Sequence, residues 1–448
     1  MSKKKFDVFI NKRIPSYTKT IEVDSDKSIS IRSFLIGSIC QNISTSENVL
    51  ESLDVKSAIS ACRKLGVKIE KTKPKCYKIY GNGLGSLHAK KNTVLNFSNS
   101  GTLARLLIGI LTSTPNIEIK IKGDHSLNKR NMKQLIDLMS KFGANFLPKN
   151  KYTFPLKMIS SRFPIGIKYK AGVSAQLKSA VLLAGLNSYG NTTIIEQLSS
   201  RNHTENILKG NTKTIKFINN GKKIINIYGK NEIKPINIKV FGDPSSAAFF
   251  TALTLLNYNS SLKIKNVGLN PTRIGFYKIL KKNGAKIRFI NLRKHNNEVY
   301  GDILVKSCKL RSMNVPAKFY SSTTDEYLIL FVIAGLTKGI SIFNGISDLS
   351  NKESSRAYEM KKILNQIGIR CELSKNKIRI YGKGTINAQN KKIKVGNLGD
   401  HRVAMCAFIL GALTKANTKI KNFETVFTSS PSFLKIMKKL GAKFEIQK

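Results

Sequence analysis

Two kinds of residue in this chain are placed as if to do chemistry. Near the N-terminus, Asp24-Ser25-Asp26-Lys27-Ser28-Ile29-Ser30-Ile31-Arg32 combines capping side chains with an apolar-periodic run, so it predicts a helix start. Lys27, Ser28 and Arg32 then gather at the positive end of that helix, where free N–H groups and the macrodipole suit a phosphate or a carboxylate. Related openings recur. Asn99-Ser100-Gly101-Thr102 offers hydrogen bonds and a glycine beside which a ligand can approach the backbone, and Ser174-Ala175-Gln176 offers uncharged donors. Lys129-Arg130 and Ser200-Arg201 add cations on loops.

The acids come later. Asp325-Glu326 precedes a strongly apolar stretch and is expected to cap its helix. Glu353 lies between Lys352 and Arg356, and Asp400-His401-Arg402 opens the last apolar stretch. Taken singly each motif is weak, and the opening one fits an ordinary capped helix with solvated charges better than an anion site. Gly242 to Ala248 reads mainly as a capping and packing device. The chain contains no G-x-x-x-x-G-K-[ST] and no G-x-S-x-G, which disfavours a P-loop or a serine hydrolase. Its six cysteines show neither C-x-x-C nor zinc spacing and read as reduced, mostly core thiols.

The elements that must position these residues form a repeat. Six small-residue-rich apolar segments begin with Ser or Asp, at Ser28, Ser100, Ser174, Ser245, Asp325 and Asp400, roughly 70 to 80 residues apart. Amphipathic stretches end in glycine at Gly66, Gly143, Gly284, Gly368 and Gly441, each followed by a β-rich run; glycine there permits the left-handed residue that stops a helix. Each unit therefore reads as strand, buried helix, strand, amphipathic helix, glycine stop and strands. The expectation is an α/β (α+β) protein of six pseudo-symmetric units, three per lobe. One lobe takes residues 1–24 plus 241–448 and the other 25–240, with substrate between them.

The formal charge is +51, from 77 Lys+Arg against 26 Asp+Glu. Lysine is spread along the whole length beside abundant Asn and Ile, so much of the charge is compositional, and aromatics at 8% without Trp provide no clear platform for stacking bases. No run of about 18 apolar residues occurs and the basic N-terminus leads into no apolar segment, which points to a cytoplasmic protein without a membrane span.

In this order the motifs resemble the 5-enolpyruvylshikimate-3-phosphate synthase family over essentially the whole chain, with wording closer to its class II branch. The resemblance rests on Asp26 to Arg32, Asn99 to Thr102, Lys129-Arg130, Ser174-Ala175-Gln176, Ser200-Arg201-Asn202-His203-Thr204-Glu205, Asp325-Glu326, Lys352-Glu353, Arg356 and Asp400-His401-Arg402. It implies a two-lobed enolpyruvate transferase fold and transfer of enolpyruvate from phosphoenolpyruvate to shikimate 3-phosphate. Lys27, Asp325 and Glu353 would be the acid/base groups. Lys27, Ser28, Arg32, Ser174, Ala175, Gln176, Ser200, Arg201, Asp325 and Lys352 would bind shikimate 3-phosphate. Lys27, Asn99, Gly101, Thr102, Arg130, Gln176, Arg356, His401 and Arg402 would bind phosphoenolpyruvate. The resemblance implies no metal or organic cofactor, no nucleic-acid or membrane partner, and a monomer.

Four positions depart from the family wording. Ser98 replaces a usual Gly, Asn131 a Pro, Ser355 an Asp beside Arg356, and Thr428 a Lys found in some members. The nearest rival is the enolpyruvyl transferase acting on UDP-N-acetylglucosamine, which typically presents a reactive Cys on the loop matching Gly123 to Met132; this loop has none. A basic nucleic-acid-binding protein is the rival suggested by charge alone.

Overall fold

The structure, a computed structural model, describes residues 5–220 and 222–447. Two compact units divide the chain. One comprises Met1–Asp24, Phe241–Lys294 and Val299–Lys448; the other comprises Ser25–Val240 and His295–Glu298.

Each unit has its own apolar core and three four-stranded sheets. Within the sheets one pattern repeats: a parallel pair is continued by antiparallel strands. Three sheets complete the pattern with a strand from a distant part of the chain. Asn237–Lys239 pairs in parallel with Ile43–Glu47, and Thr18–Glu22 pairs in parallel with Ser261–Gly268. Asp7–Ile10 lies between Asn417–Ile420 and Glu445–Gln447, with Val8 opposite both Ile420 and Ile446.

The repeated buried helices are Lys27–Ile39, Gly101–Thr112, Ala175–Gly185, Pro244–Leu256, Tyr327–Gly335 and His401–Thr414. Five begin with a side-chain cap: Asp26, Ser100, Ser174, Asp243 and Asp400 each accept from a backbone N–H of the first turn. They are enclosed around almost their whole circumference, which explains why small residues and serines alternate with large apolar ones rather than forming one stripe. Gly109 illustrates the packing. A Cβ there would stand 2.6 Å from the carbonyl oxygen of Ala180, so glycine lets the Gly101–Thr112 and Ala175–Gly185 helices approach at backbone distance.

The five expected glycine stops all adopt positive φ, from +80° at Gly368 to +97° at Gly143. The third unit departs from the pattern: its second helix, His203–Leu208, has six residues and leads to no such glycine. The tyrosine helix departs too. Glu326 precedes Tyr327–Gly335 in a helical conformation and its side chain makes no capping bond, so Glu326 is not the cap that its place before an apolar run suggests. Both carboxylates turn to side chains instead.

Candidate functional site

In the unit built on Ser25–Val240, three helix starts are tied together by their own side chains. Asp26 fixes the first by accepting from Ile29 N–H at 2.8 Å, and Lys27 Nζ sits 3.0 Å from Asp54 Oδ2. Arg32, buried one turn further along, donates through Nη1 to the Ser28 carbonyl at 3.1 Å, through Nη2 to Ser179 Oγ at 3.2 Å and through Nε to Thr204 Oγ1 at 2.8 Å. It therefore fastens the first helix to the third and to the His203–Leu208 turn. Gln176 makes the other link: its Nε2 donates to Thr102 Oγ1 at 3.0 Å and its Oε1 accepts from Arg105 Nη1 at 3.0 Å.

Gly101 is flanked by two guanidiniums. A Cβ at this position would lie 2.8 Å from Arg105 Nη1 and 2.9 Å from Arg130 Nη1, and Arg130 Nη2 donates to Asn99 Oδ1. Lys27, Ser28, Asn99, Gly101, Thr102, Arg130, Ser174, Ala175 and Gln176 thus belong to helix starts or the loops beside them, where N–H groups and cations are of the kind that suit an anion. Ser200 is buried; its N–H and hydroxyl both point to Glu196 Oε1, and Arg201 is half-buried next to it. Burial opposes ionisation of Glu196, but Lys178 and Lys223 outweigh it and hold the carboxyl below its usual range.

The other unit gathers carboxylates around arginine. Arg356 is buried, with Nε 2.9 Å from Asp400 Oδ2, Nη2 2.6 Å from Glu353 Oε2 and Nη1 3.7 Å from Asp325 Oδ1. Arg402 approaches the same Asp325, with Nε 3.5 Å from its Oδ1 and Nη1 donating to its carbonyl at 3.1 Å. Burial alone would lower the Arg356 pKa, but Asp400, Glu353 and Asp325 drive it above its ordinary value, so the guanidinium keeps its charge. His401 is the buried first residue of its helix. Lys352 stands apart from this group in the loop before the Arg356–Gln366 helix, its Nζ 2.5 Å from Asp348 Oδ2.

Each of the four departures from the family wording has a local setting. Ser98 has φ +50°, a left-handed conformation in which glycine is the ordinary residue. Asn131 Oδ1 accepts from Lys133 N–H at 2.7 Å and so serves the Lys133–Lys141 helix start. Ser355 leaves Arg356 to be oriented by Asp400, which also accepts from Ser354 Oγ at 3.0 Å and from Arg402 N–H at 3.0 Å. Thr428 Oγ1 bonds the Thr425 carbonyl at 2.8 Å, within its own turn.

Sequence reasoning gave no site role to four residues that shape these clusters: Asp54, Arg105, Lys178 and Asp400. Asp400 is 44 positions from Arg356, and Lys178 looked like any lysine among many; their partners become visible only once the helices are packed. Among the described residues no group of three or more His, Cys, Asp or Glu is placed to hold a metal ion, and no helix is long and apolar enough to cross a membrane.

A family model described as EPSP synthase (3-phosphoshikimate 1-carboxyvinyltransferase) matches residues 12–437. The chain belongs to the EPSP synthase family. Its relatives include a 3-phosphoshikimate 1-carboxyvinyltransferase from Zymomonas mobilis, 36% identical over 98% of this chain and 97% of the relative. Another, from Paramagnetospirillum magneticum, is 36% identical over 94% of each chain. Among solved structures, EPSP synthase from Acinetobacter baumannii is 31% identical, with a TM-score of 0.83 over 99% of this chain and 100% of that one. The enolpyruvyl transferase NikO from Streptomyces tendae shares the fold at 11% identity and a TM-score of 0.71, covering 99% of this chain and 98% of that one. The six-sheet α/β architecture is thus that of the EPSP synthases and wider enolpyruvyl transferases.

Proposed function

We propose that this protein transfers the enolpyruvyl group of phosphoenolpyruvate to the 5-hydroxyl of shikimate 3-phosphate and releases phosphate, a step toward chorismate and the aromatic amino acids. Family membership along nearly the whole chain supports the reaction. The observation that carries the chemistry is the cluster on Asp325, where two guanidiniums, Arg356 and Arg402, meet carboxylates able to move protons.

Addition requires the 5-hydroxyl to lose its proton as its oxygen bonds to C2 of phosphoenolpyruvate, while the methylene carbon gains a proton and becomes methyl. Elimination then removes a proton from that methyl, re-forms the double bond and breaks the C2–O bond to phosphate. Asp325 is assigned the 5-hydroxyl proton, and Lys27 and Glu353 the methyl proton. Arg130, Arg356 and Arg402 clamp phosphoenolpyruvate with Asn99, Gly101, Thr102, Gln176 and His401, the planar guanidiniums suiting bidentate contact. Ser174, Ala175, Gln176 and Ser200 hold the shikimate phosphate. Ser28 and Arg32 orient the shikimate carboxylate, Arg201 lies along the ring, and Lys352 lends charge. The two residue sets act in one reaction. The chain is assigned as a cytoplasmic monomer.

Phosphate release measured with each substrate alone and with both together tests the reading. Release is expected only with shikimate 3-phosphate and phosphoenolpyruvate together. Folded protein that releases none with both would sink it, and retention on DNA with a steep salt slope would favour the nucleic-acid alternative.

A further inference from the structure

The Ala175–Gly185 helix carries a lysine whose side chain is wholly enclosed: Lys178 has 0% exposure. Its ammonium lies 2.5 Å from Glu196 Oε1 and 2.6 Å from Glu205 Oε1. Glu196 ends the Asn191–Glu196 strand and meets Lys223 through its other oxygen at 2.7 Å. The oxygen that receives Lys178 also accepts from Ser200, at 3.3 Å from the backbone N–H and 3.2 Å from the hydroxyl. Two ammoniums and two carboxylates therefore make an electroneutral group. It joins the first turn of the helix that begins at Ala175 to Ser200 and to the His203–Leu208 turn.

Packing alone does not call for such a group, because well-fitted apolar residues commonly stabilise an interior as well as a buried ion pair does. Its arrangement has a more specific consequence. Both contacts place Ser200 beside Glu196, and the hydroxyl contact of 3.2 Å exceeds the roughly 2.7–2.8 Å usual for O–H···O, so that proton is readily turned toward a stronger acceptor. A phosphate oxygen is one. Glu196 without counter-charge would repel a phosphate dianion held by Ser200, and in a poorly screened interior that repulsion is large. Lys178 and Lys223 cancel it.

We infer that Lys178, Glu196 and Glu205 set both the position of Ser200 and the local charge felt by the phosphate of the acceptor substrate. They act through Ser200 and the Ser174–Gln176 helix start and touch no reacting atom. The inference rests on the reading of those residues as the phosphate-holding ones. Substrate affinity should then follow the charge of the buried group: Lys178→Met leaves it at −1, Glu205→Gln at +1, and the double variant returns it to zero.

The test is calorimetric binding of shikimate 3-phosphate at low ionic strength, with steady-state KM for both substrates and thermal unfolding of each variant. Lys178→Met is expected to weaken shikimate 3-phosphate binding about tenfold or more, leaving KM for phosphoenolpyruvate and kcat at saturation within about threefold. Glu205→Gln is expected to tighten binding about threefold, and the double variant to lie within about threefold of the parent protein. If Lys178→Met does not fold, the other two variants decide. Unchanged or weaker binding by Glu205→Gln, wild-type binding by Lys178→Met, or a double variant that fails to recover affinity would each overturn the inference. Parent protein that releases no phosphate with both substrates would instead strike the functional reading.

Discussion

Glu353 is held by a guanidinium and is also a candidate proton carrier, and one atom separates the two roles. Glu353→Gln keeps an oxygen that can accept from Arg356 Nη2, and Asp400 continues to hold Nε, so the local geometry should survive while the titratable proton is lost. Turnover is expected to fall at least about a hundredfold with shikimate 3-phosphate binding nearly intact. Equal turnover would remove Glu353 from proton transfer. Gly101 allows a similar separation. A methyl group there meets the far ends of two flexible side chains, Arg105 and Arg130, so the fold should tolerate Gly101→Ala while the guanidiniums are displaced. The expected result is a KM for phosphoenolpyruvate raised about tenfold with little change in melting temperature. An unchanged KM would detach this pair from the substrate.

The glycine stops were the most legible elements, because a left-handed residue after a helix leaves almost one choice of amino acid. Their cost can be measured where the surroundings differ. At Gly284, φ is +91° and a Cβ would find its nearest contact 3.8 Å away at the Lys309 carbonyl, so Gly284→Ala should cost about 1–2 kcal/mol from backbone strain alone. At Gly143 a Cβ would also run into Ser161, so Gly143→Ala should lower the melting temperature further. Denaturant melts of the two variants compare them, and equal losses would show that the clash relaxes freely. The capped helix starts were legible for a related reason: an Asp or Ser before an apolar run has few other purposes, and five of the six helices carry such a cap, at Asp26 and Asp243, two residues before Ser28 and Ser245, and at Ser100, Ser174 and Asp400. The sixth shows where that logic stops. Asp325 and Glu326 sit in cap-like positions, but Arg356, Arg402 and Ser245 come from far along the chain and claim their carboxylates. The ordered motifs pointed to the donor residues themselves. The buried counter-charges beneath them, Lys178 with Glu196 and Glu205, could not be told from surface charges in a chain carrying 77 Lys+Arg.

At the scale of the whole molecule, six copies of one strand pattern are built from a chain whose opening residues do not stay with their neighbours. Asp7–Ile10 completes a sheet with Asn417–Ile420 and Glu445–Gln447, and Thr18–Glu22 completes one with Ser261–Gly268. Deleting residues 1–11 should therefore abolish hydrogen-exchange protection across Glu445–Gln447 and lower it across Asn417–Ile420, which keeps Lys392–Val395 on its other side, while leaving Lys27–Ile39 and Gly101–Thr112 protected near parental levels. Equal loss in both units would argue against their independence. The same pairing has a consequence for synthesis. The Ser25–Val240 stretch is available to fold before residues 299–447 are made, whereas Asp7–Ile10 has no partner until Asn417–Ile420 and then Glu445–Gln447 leave the ribosome. Throughout the synthesis of the residues between them the nascent protein thus carries an unpaired strand. A chain lacking Glu445–Gln447 would keep one edge of that strand open to pairing with another molecule.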